Sequence, residues 1–138
     1  MALNRWKILA LVSLLITSLL ISGCILDSQI YGDITPKEAN ELIDERSGDE
    51  DFVILDVRTS EEFSGGHIEG AIIIDFNSEN FEDEIGKLDR NITYLIYCRT
   101  ARRSSLALDI MEDLGFTDVY NLKGGIVRWE EEGFPVVR

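Results

Sequence analysis

Histidine occurs once in this chain of 138 residues, and cysteine and proline occur twice each. His67 with Cys24 and Cys98 cannot supply the ligands of a structural zinc site, and two cysteines make no disulfide framework. Basic side chains are also scarce. Lys and Arg number 13 against 26 Asp and Glu, a net charge of −13. This acidic balance argues against nucleic acid, or an anionic membrane face, as the main partner. Acidic residues are themselves missing from one stretch. Residues 1–23 hold none, and Arg5 and Lys7 are their only basic residues, so the remaining 115 residues carry −15. That length fits one domain with an ordinary core.

The opening stretch reads as an address. Ile8 to Ile21 is apolar except for Ser13, Thr17 and Ser18. Such a run is short for a membrane span, which needs about 20 residues, and right for the core of a signal peptide. Ile21-Ser22-Gly23-Cys24 resembles a lipobox, in which small residues let a peptidase close around the backbone before the lipid-bearing cysteine. On this reading residues 1–23 are a signal peptide, Cys24 is lipidated, residues 24–29 are a tether and residues 30–138 form the domain. The alternative is an uncleaved anchor helix from Trp6 to Leu26. Both readings keep the basic start in the cytoplasm and put the domain outside, held at the cell membrane. With lipid on Cys24, Cys98 has no disulfide partner, and an unpaired thiol in an exported domain needs a reason.

Within the domain, strand and helix signals alternate. Ile30 to Ile34 reads as a first strand. Thr35-Pro36-Lys37-Glu38 is a helix start, with Thr as N-cap, Pro at the first position and Glu closing the capping box. Phe52–Leu55, Ala71–Ile74 and Ile92–Tyr97 are apolar runs of the kind found in strands buried on both faces. Ser60 is expected to cap a short helix and Ser104 a longer one, whose Ala107, Ile110, Met111 and Leu114 share a face. Val119-Tyr120 is a further strand, and Gly124-Gly125 opens a last helix. The alternation predicts an α/β fold with a mainly parallel central sheet and helices on both faces.

The chemistry concentrates in Tyr97-Cys98-Arg99-Thr100-Ala101-Arg102-Arg103-Ser104. A buried strand ends, a short loop turns, and a helix begins. Ligands of open parallel sheets bind beyond the carboxyl ends of the strands. A loop entering a helix N-terminus turns several N–H groups into one small space, with the helix dipole behind them. A thiol there, with Arg99, Arg102 and Arg103 beside it, is held toward the thiolate, the reactive form. A purely structural cysteine would not be flanked by so much charge of the sign the domain otherwise lacks. The pattern describes an activated nucleophile that receives a small anion.

Three segments carry a family resemblance. Asp56-Val57-Arg58 with Glu61 to Ala71, then Cys98 to Ser104, then Leu122 to Trp129 with Gly133-Phe134-Pro135-Val136 are similar, in that order, to the signatures of single-domain rhodaneses. The resemblance implies a rhodanese-like three-layer domain and thiosulfate-type sulfurtransferase chemistry. It implies Cys98 as the catalytic group and Arg99, Thr100, Ala101, Arg102 and Arg103 as the substrate-binding loop. Asp56 and Arg58 would order a neighbouring loop from behind. The partners implied are a small anionic sulfur donor and an acceptor such as cyanide or a thiol, with no metal or organic cofactor needed. Related phosphatase and arsenate-reductase domains place five residues between Cys and Arg, whereas Arg103 follows Cys98 after four. The shorter loop suits a sulfur atom. A carrier that is loaded once and waits for a partner is the other reading, because the family commonly has Gly where this chain has Ala101. His67 is expected to hold a turn, Trp129 to anchor the core, and the acidic runs 48–51 and 130–132 to be solvated surface.

Overall fold

The computed structural model describes residues 29–138. The stretches read above as signal peptide, lipobox with Cys24 and most of the tether fall outside the described residues. Five strands form one sheet in which every pairing is parallel. They are β1 (Ile30–Ile34), β2 (Phe52–Asp56), β3 (Ile72–Ile73), β4 (Thr93–Tyr97) and β5 (Asp118–Leu122), in the order β1-β5-β4-β2-β3. Five helices connect or follow them: α1 (Pro36–Glu45), α2 (Ser60–Gly65), α3 (Phe81–Ile85), α4 (Arg102–Asp113) and α5 (Gly125–Glu131).

Alternation along the strands divides the core in two. Leu55, Tyr94, Ile96, Cys98 and Val119 pack on one face with Phe81 and Ile85 of α3 and Ala107 and Met111 of α4. Ile54, Leu95, Tyr97 and Leu122 pack on the other with Ala39 of α1 and Ile126 and Trp129 of α5. The α/β class expected from the sequence is therefore the class observed. β4 is buried along its whole length, as a central parallel strand must be. Among the described residues no helix is long and apolar enough to cross a membrane.

Three local expectations change. The run Ala71–Ile74 does not make a buried strand: only Ile72 and Ile73 pair, at the sheet edge, and Ile72 is 44% exposed. α2 is capped by Thr59, not Ser60, because Thr59 forms the reciprocal capping box with Glu62. α4 starts at Arg102, two residues before Ser104, with Ala101 at the N-cap in a left-handed conformation and no side-chain cap. The Thr35–Glu38 capping box is present as read. His67 holds a turn, stacking on Phe63 with ring centroids 3.7 Å apart and bridging to Val137. Trp129 is a buried anchor whose indole N–H donates to the Pro135 carbonyl at 2.9 Å.

Candidate active site

The crossover after β2 runs outward to β3, and the one after β4 runs the other way to β5. Neighbouring parallel strands whose connections diverge leave a crevice at their carboxyl ends. Cys98 follows β4 there, 1% exposed. Above it lies a cleft of about 420 Å³, lined by Phe76, Asn77 and Leu106 together with Arg99, Thr100, Arg102 and Arg103 of the loop.

The loop encloses the sulfur because its carbonyls are pulled away from it. The N–H groups of Ile126 and Val127, in the first turn of α5, donate to the carbonyls of Cys98 at 2.9 Å and Arg99 at 3.2 Å. Gly125 lets the two backbones meet: a Cβ built there would lie 2.4 Å from the Arg99 oxygen and 2.5 Å from the Cys98 oxygen. With the carbonyls held outward, the N–H groups of Thr100, Arg103 and Ser104 lie close enough to the Cys98 thiol to favour its ionised form. The Ser104 hydroxyl adds a contact 3.5 Å from Sγ. Burial pushes the thiol pKa up, but the Ser104 hydroxyl and these three N–H groups together outweigh it, and the net shift is down. Ser104, expected to cap a helix, is thus turned to the sulfur.

The three loop arginines separate. Arg99 and Arg102 are exposed at the rim of the cleft. Arg103 is instead clamped by Glu62, its two terminal nitrogens donating at 2.9 and 2.8 Å. Its charge is partnered there, while the residue still lines the cleft beside Cys98. Glu62 could not be found by spacing, since 41 residues separate the pair. The hydrogen bonds from Arg103 are the main cause that lowers the Glu62 carboxyl from 4.5 to about 2. Folding therefore favours its ionised form, and the stabilisation is complete above about pH 4.5 and fades as pH falls toward 2. In thermal melts the gap between the native protein and Glu62→Gln is expected to be widest above pH 5 and to close toward pH 2. A gap independent of pH would mean the ion pair adds nothing to stability.

Asp56 and Arg58 lie on the face of the sheet opposite Cys98, and neither lines the cleft. Both Asp56 oxygens accept from the Arg58 side chain at 2.7 to 3.0 Å, and Oδ1 also accepts from the Arg58 N–H at 2.9 Å. Arg58 donates onward to the Gly66 carbonyl at 2.7 Å and covers the Tyr97 ring. The pair fastens the His67 turn to β4. Among the described residues no group of three or more His, Cys, Asp or Glu is placed to hold a metal ion.

Ala101 is the one non-glycine residue with positive φ among the described residues, at +74°. For alanine this conformation costs about 1–2 kcal/mol. Ala101→Gly is expected to raise stability by about 1 kcal/mol, read in denaturant melts. An unchanged melt would show that the loop is not strained there.

Fold and site together define an α/β domain that seats a buried cysteine, its thiol pKa lowered, in a short loop at the end of a central parallel strand. The profile of the Rhodanese-like domain family matches residues 35–132. The chain belongs to that family. It is 36% identical over 102 residues to the probable adenylyltransferase/sulfurtransferase MoeZ of Mycobacterium tuberculosis, covering 74% of this chain but only 25% of that protein. It is 35% identical over 100 residues to a sulfurtransferase of Allochromatium vinosum, covering 71% of this chain and 91% of that one. A rhodanese-related protein of Thermoplasma volcanium has a similar solved structure, with a TM-score of 0.67 and 30% identity over 78% of this chain and 98% of that one.

Proposed function

We propose that the protein is a sulfurtransferase that moves sulfane sulfur from thiosulfate or a similar anionic donor, through a persulfide on Cys98, to a thiophilic acceptor. The observation that carries this reading is the seat of Cys98, buried beneath the cleft at the end of β4 with the Ser104 hydroxyl 3.5 Å from its sulfur. The Cys98 thiolate attacks the outer sulfur of the donor. The S–S bond breaks, sulfite leaves with the electron pair, and Cys98 becomes a persulfide anion. The N–H groups of Thr100, Arg103 and Ser104 stabilise that anion, as donors in an oxyanion hole would. A cyanide or thiolate acceptor then attacks the terminal sulfur and returns the Cys98 thiolate. Two covalent half-reactions give ping-pong kinetics. Arg99 and Arg102 at the rim attract the donor. Phosphate or arsenate chemistry is disfavoured by the loop of four residues between Cys98 and Arg103, and by the capture of Arg103 by Glu62.

The strain at Ala101 supports a second reading, a carrier that is loaded once and does not turn over. Intact mass after exposure to thiosulfate, with and without cyanide, tests both. Gain of one sulfur, absent in Cys98→Ser, with catalytic release of thiocyanate supports the enzyme. A sulfur that cyanide does not remove supports the carrier, and no gain overturns thiosulfate as donor. We also propose that Cys24 carries lipid and holds the domain on the outer side of the membrane, on the strength of the apolar run and Ile21-Ser22-Gly23-Cys24. Incorporation of labelled fatty acid that Cys24→Ser abolishes would support that attachment.

A further inference from the structure

β5 carries a buried polar side chain that the proposed chemistry leaves unused. Asn121 is fully buried, on the α4 side of the sheet. Its amide nitrogen donates to Asp33 Oδ1 at 2.7 Å and to Ser105 Oγ at 3.1 Å. Asp33 is its register partner on β1. A carboxylate only accepts, so Asp33 fixes which end of the amide faces it, and the second N–H falls on Ser105. A serine hydroxyl has one hydrogen. With its oxygen accepting from Asn121, the hydrogen points to the Ala101 carbonyl, 2.7 Å away. The same carbonyl also accepts from the Ser105 N–H at 2.9 Å, and the Ser104 hydroxyl, 3.2 Å away, shares its one hydrogen between this oxygen and the Cys98 sulfur. Two donors from Ser105 therefore converge on the one residue whose backbone is strained. The remaining amide atom, Asn121 Oδ1, is buried with no hydrogen-bond partner. An orphaned buried acceptor is a penalty that a leucine of similar size would not carry. The favourable side of Asn121 thus lies in its two donated bonds.

We propose that Asn121 is a positioning residue. With Asp33 and Ser105 it locks the Ala101 carbonyl, and so holds the left-handed turn that aims the N–H groups of Thr100, Arg103 and Ser104 at the Cys98 sulfur. Glycine adopts that turn without strain and alanine does not, so the lock matters here because residue 101 is alanine. The inference rests on the reading of Cys98 as the group that carries sulfur.

The test compares Asn121→Leu and Ser105→Ala, each with Ala101 retained and with Ala101→Gly, in the full chain. Two quantities are read at the Cys98 peptide by mass spectrometry: the pH midpoint of alkylation by iodoacetamide, and the rate of sulfur gain from thiosulfate. Ser105 is exposed on a helix, where alanine is a better helix former, so a merely structural role predicts no loss in Ser105→Ala. With Ala101 retained, each variant is expected to move the midpoint to higher pH and slow loading about fivefold. With Ala101→Gly, the same substitutions should change loading less than about twofold. Equal losses in both backgrounds, or no loss in either, overturn the proposal. If thiosulfate loads no sulfur on the unaltered protein, the functional reading falls, and the alkylation midpoints decide the lock by themselves.

Discussion

Gly125→Ala is expected to slow sulfur loading at Cys98 by about 100-fold while leaving a folded domain, because a shift of about 1 Å in a reacting group is enough for such a loss. The added Cβ would stand 2.4 to 2.5 Å from three backbone atoms, the Arg99 carbonyl carbon and oxygen and the Cys98 oxygen. None of these can swing aside as a side chain can. Relief requires the loop to back away from α5, which breaks the bond from Ile126 N–H to the Cys98 carbonyl. That bond keeps the carbonyls outward and the N–H groups close to the thiol. Gly124→Ala is the control. Its φ of +79° is as unfavourable to alanine as the +64° of Gly125, and its Cβ would crowd Arg128 of α5 itself, Cβ and Cδ at 2.7 Å, but none of its three nearest atoms belongs to the backbone of the loop. It should lose at least about 1–2 kcal/mol of stability, more for the crowding of Arg128, and keep most of its loading rate. Similar rates for the two variants would show that the contact between α5 and the loop does not shape the cradle.

Asp56→Ala is expected to be the most destabilising substitution, by about 3–5 kcal/mol, because it strands a buried guanidinium. Asp56 is fully buried and Arg58 is 5% exposed, so water cannot replace the lost partner. For a domain of this size the melting temperature should fall by about 15 °C or more. The double variant Asp56→Leu/Arg58→Met removes both charges and should recover part of the loss. A single variant that melts within a few degrees of the native protein would mean that the charge finds water or another partner. Such a result would also detach the pair from the fastening of the His67 turn.

Much of this architecture was legible because its causes are local. The capping box at Thr35 and Glu38 lies within four residues, and the apolar runs of β2 and β4 announce strands that are buried on both sides. β3 misled because an apolar run gives no sign of whether a neighbour will cover it, and here the sheet ends there. Thr59 and Ser60 are adjacent cap formers, and only the reach of Glu62 chooses between them. In the site, the place of Cys98 at a strand end could be read from the sequence. The roles of Glu62, Gly125 and Asn121 could not, since each acts across a long sequence separation on backbone or charge. Serine before an apolar helix usually caps it, which is why the position of Ser104 points to a cap. The loop instead brings its N–H groups close to the thiol, and the helix begins earlier.

The parallel sheet also has a polarity. Ile30 is level with Asp118 and Thr93 at one pole, and Ile34 with Leu122 at the other, where β4 runs on into Cys98. Four residue steps along the strand separate the poles, about 13 Å. Anything joined to the chain ahead of Ile30 is therefore attached at the pole away from the reactive sulfur. Immobilised by that end, on a resin or a vesicle, the domain would behave like a lamp on a post, its working face turned to the surrounding fluid and open to whatever diffuses past.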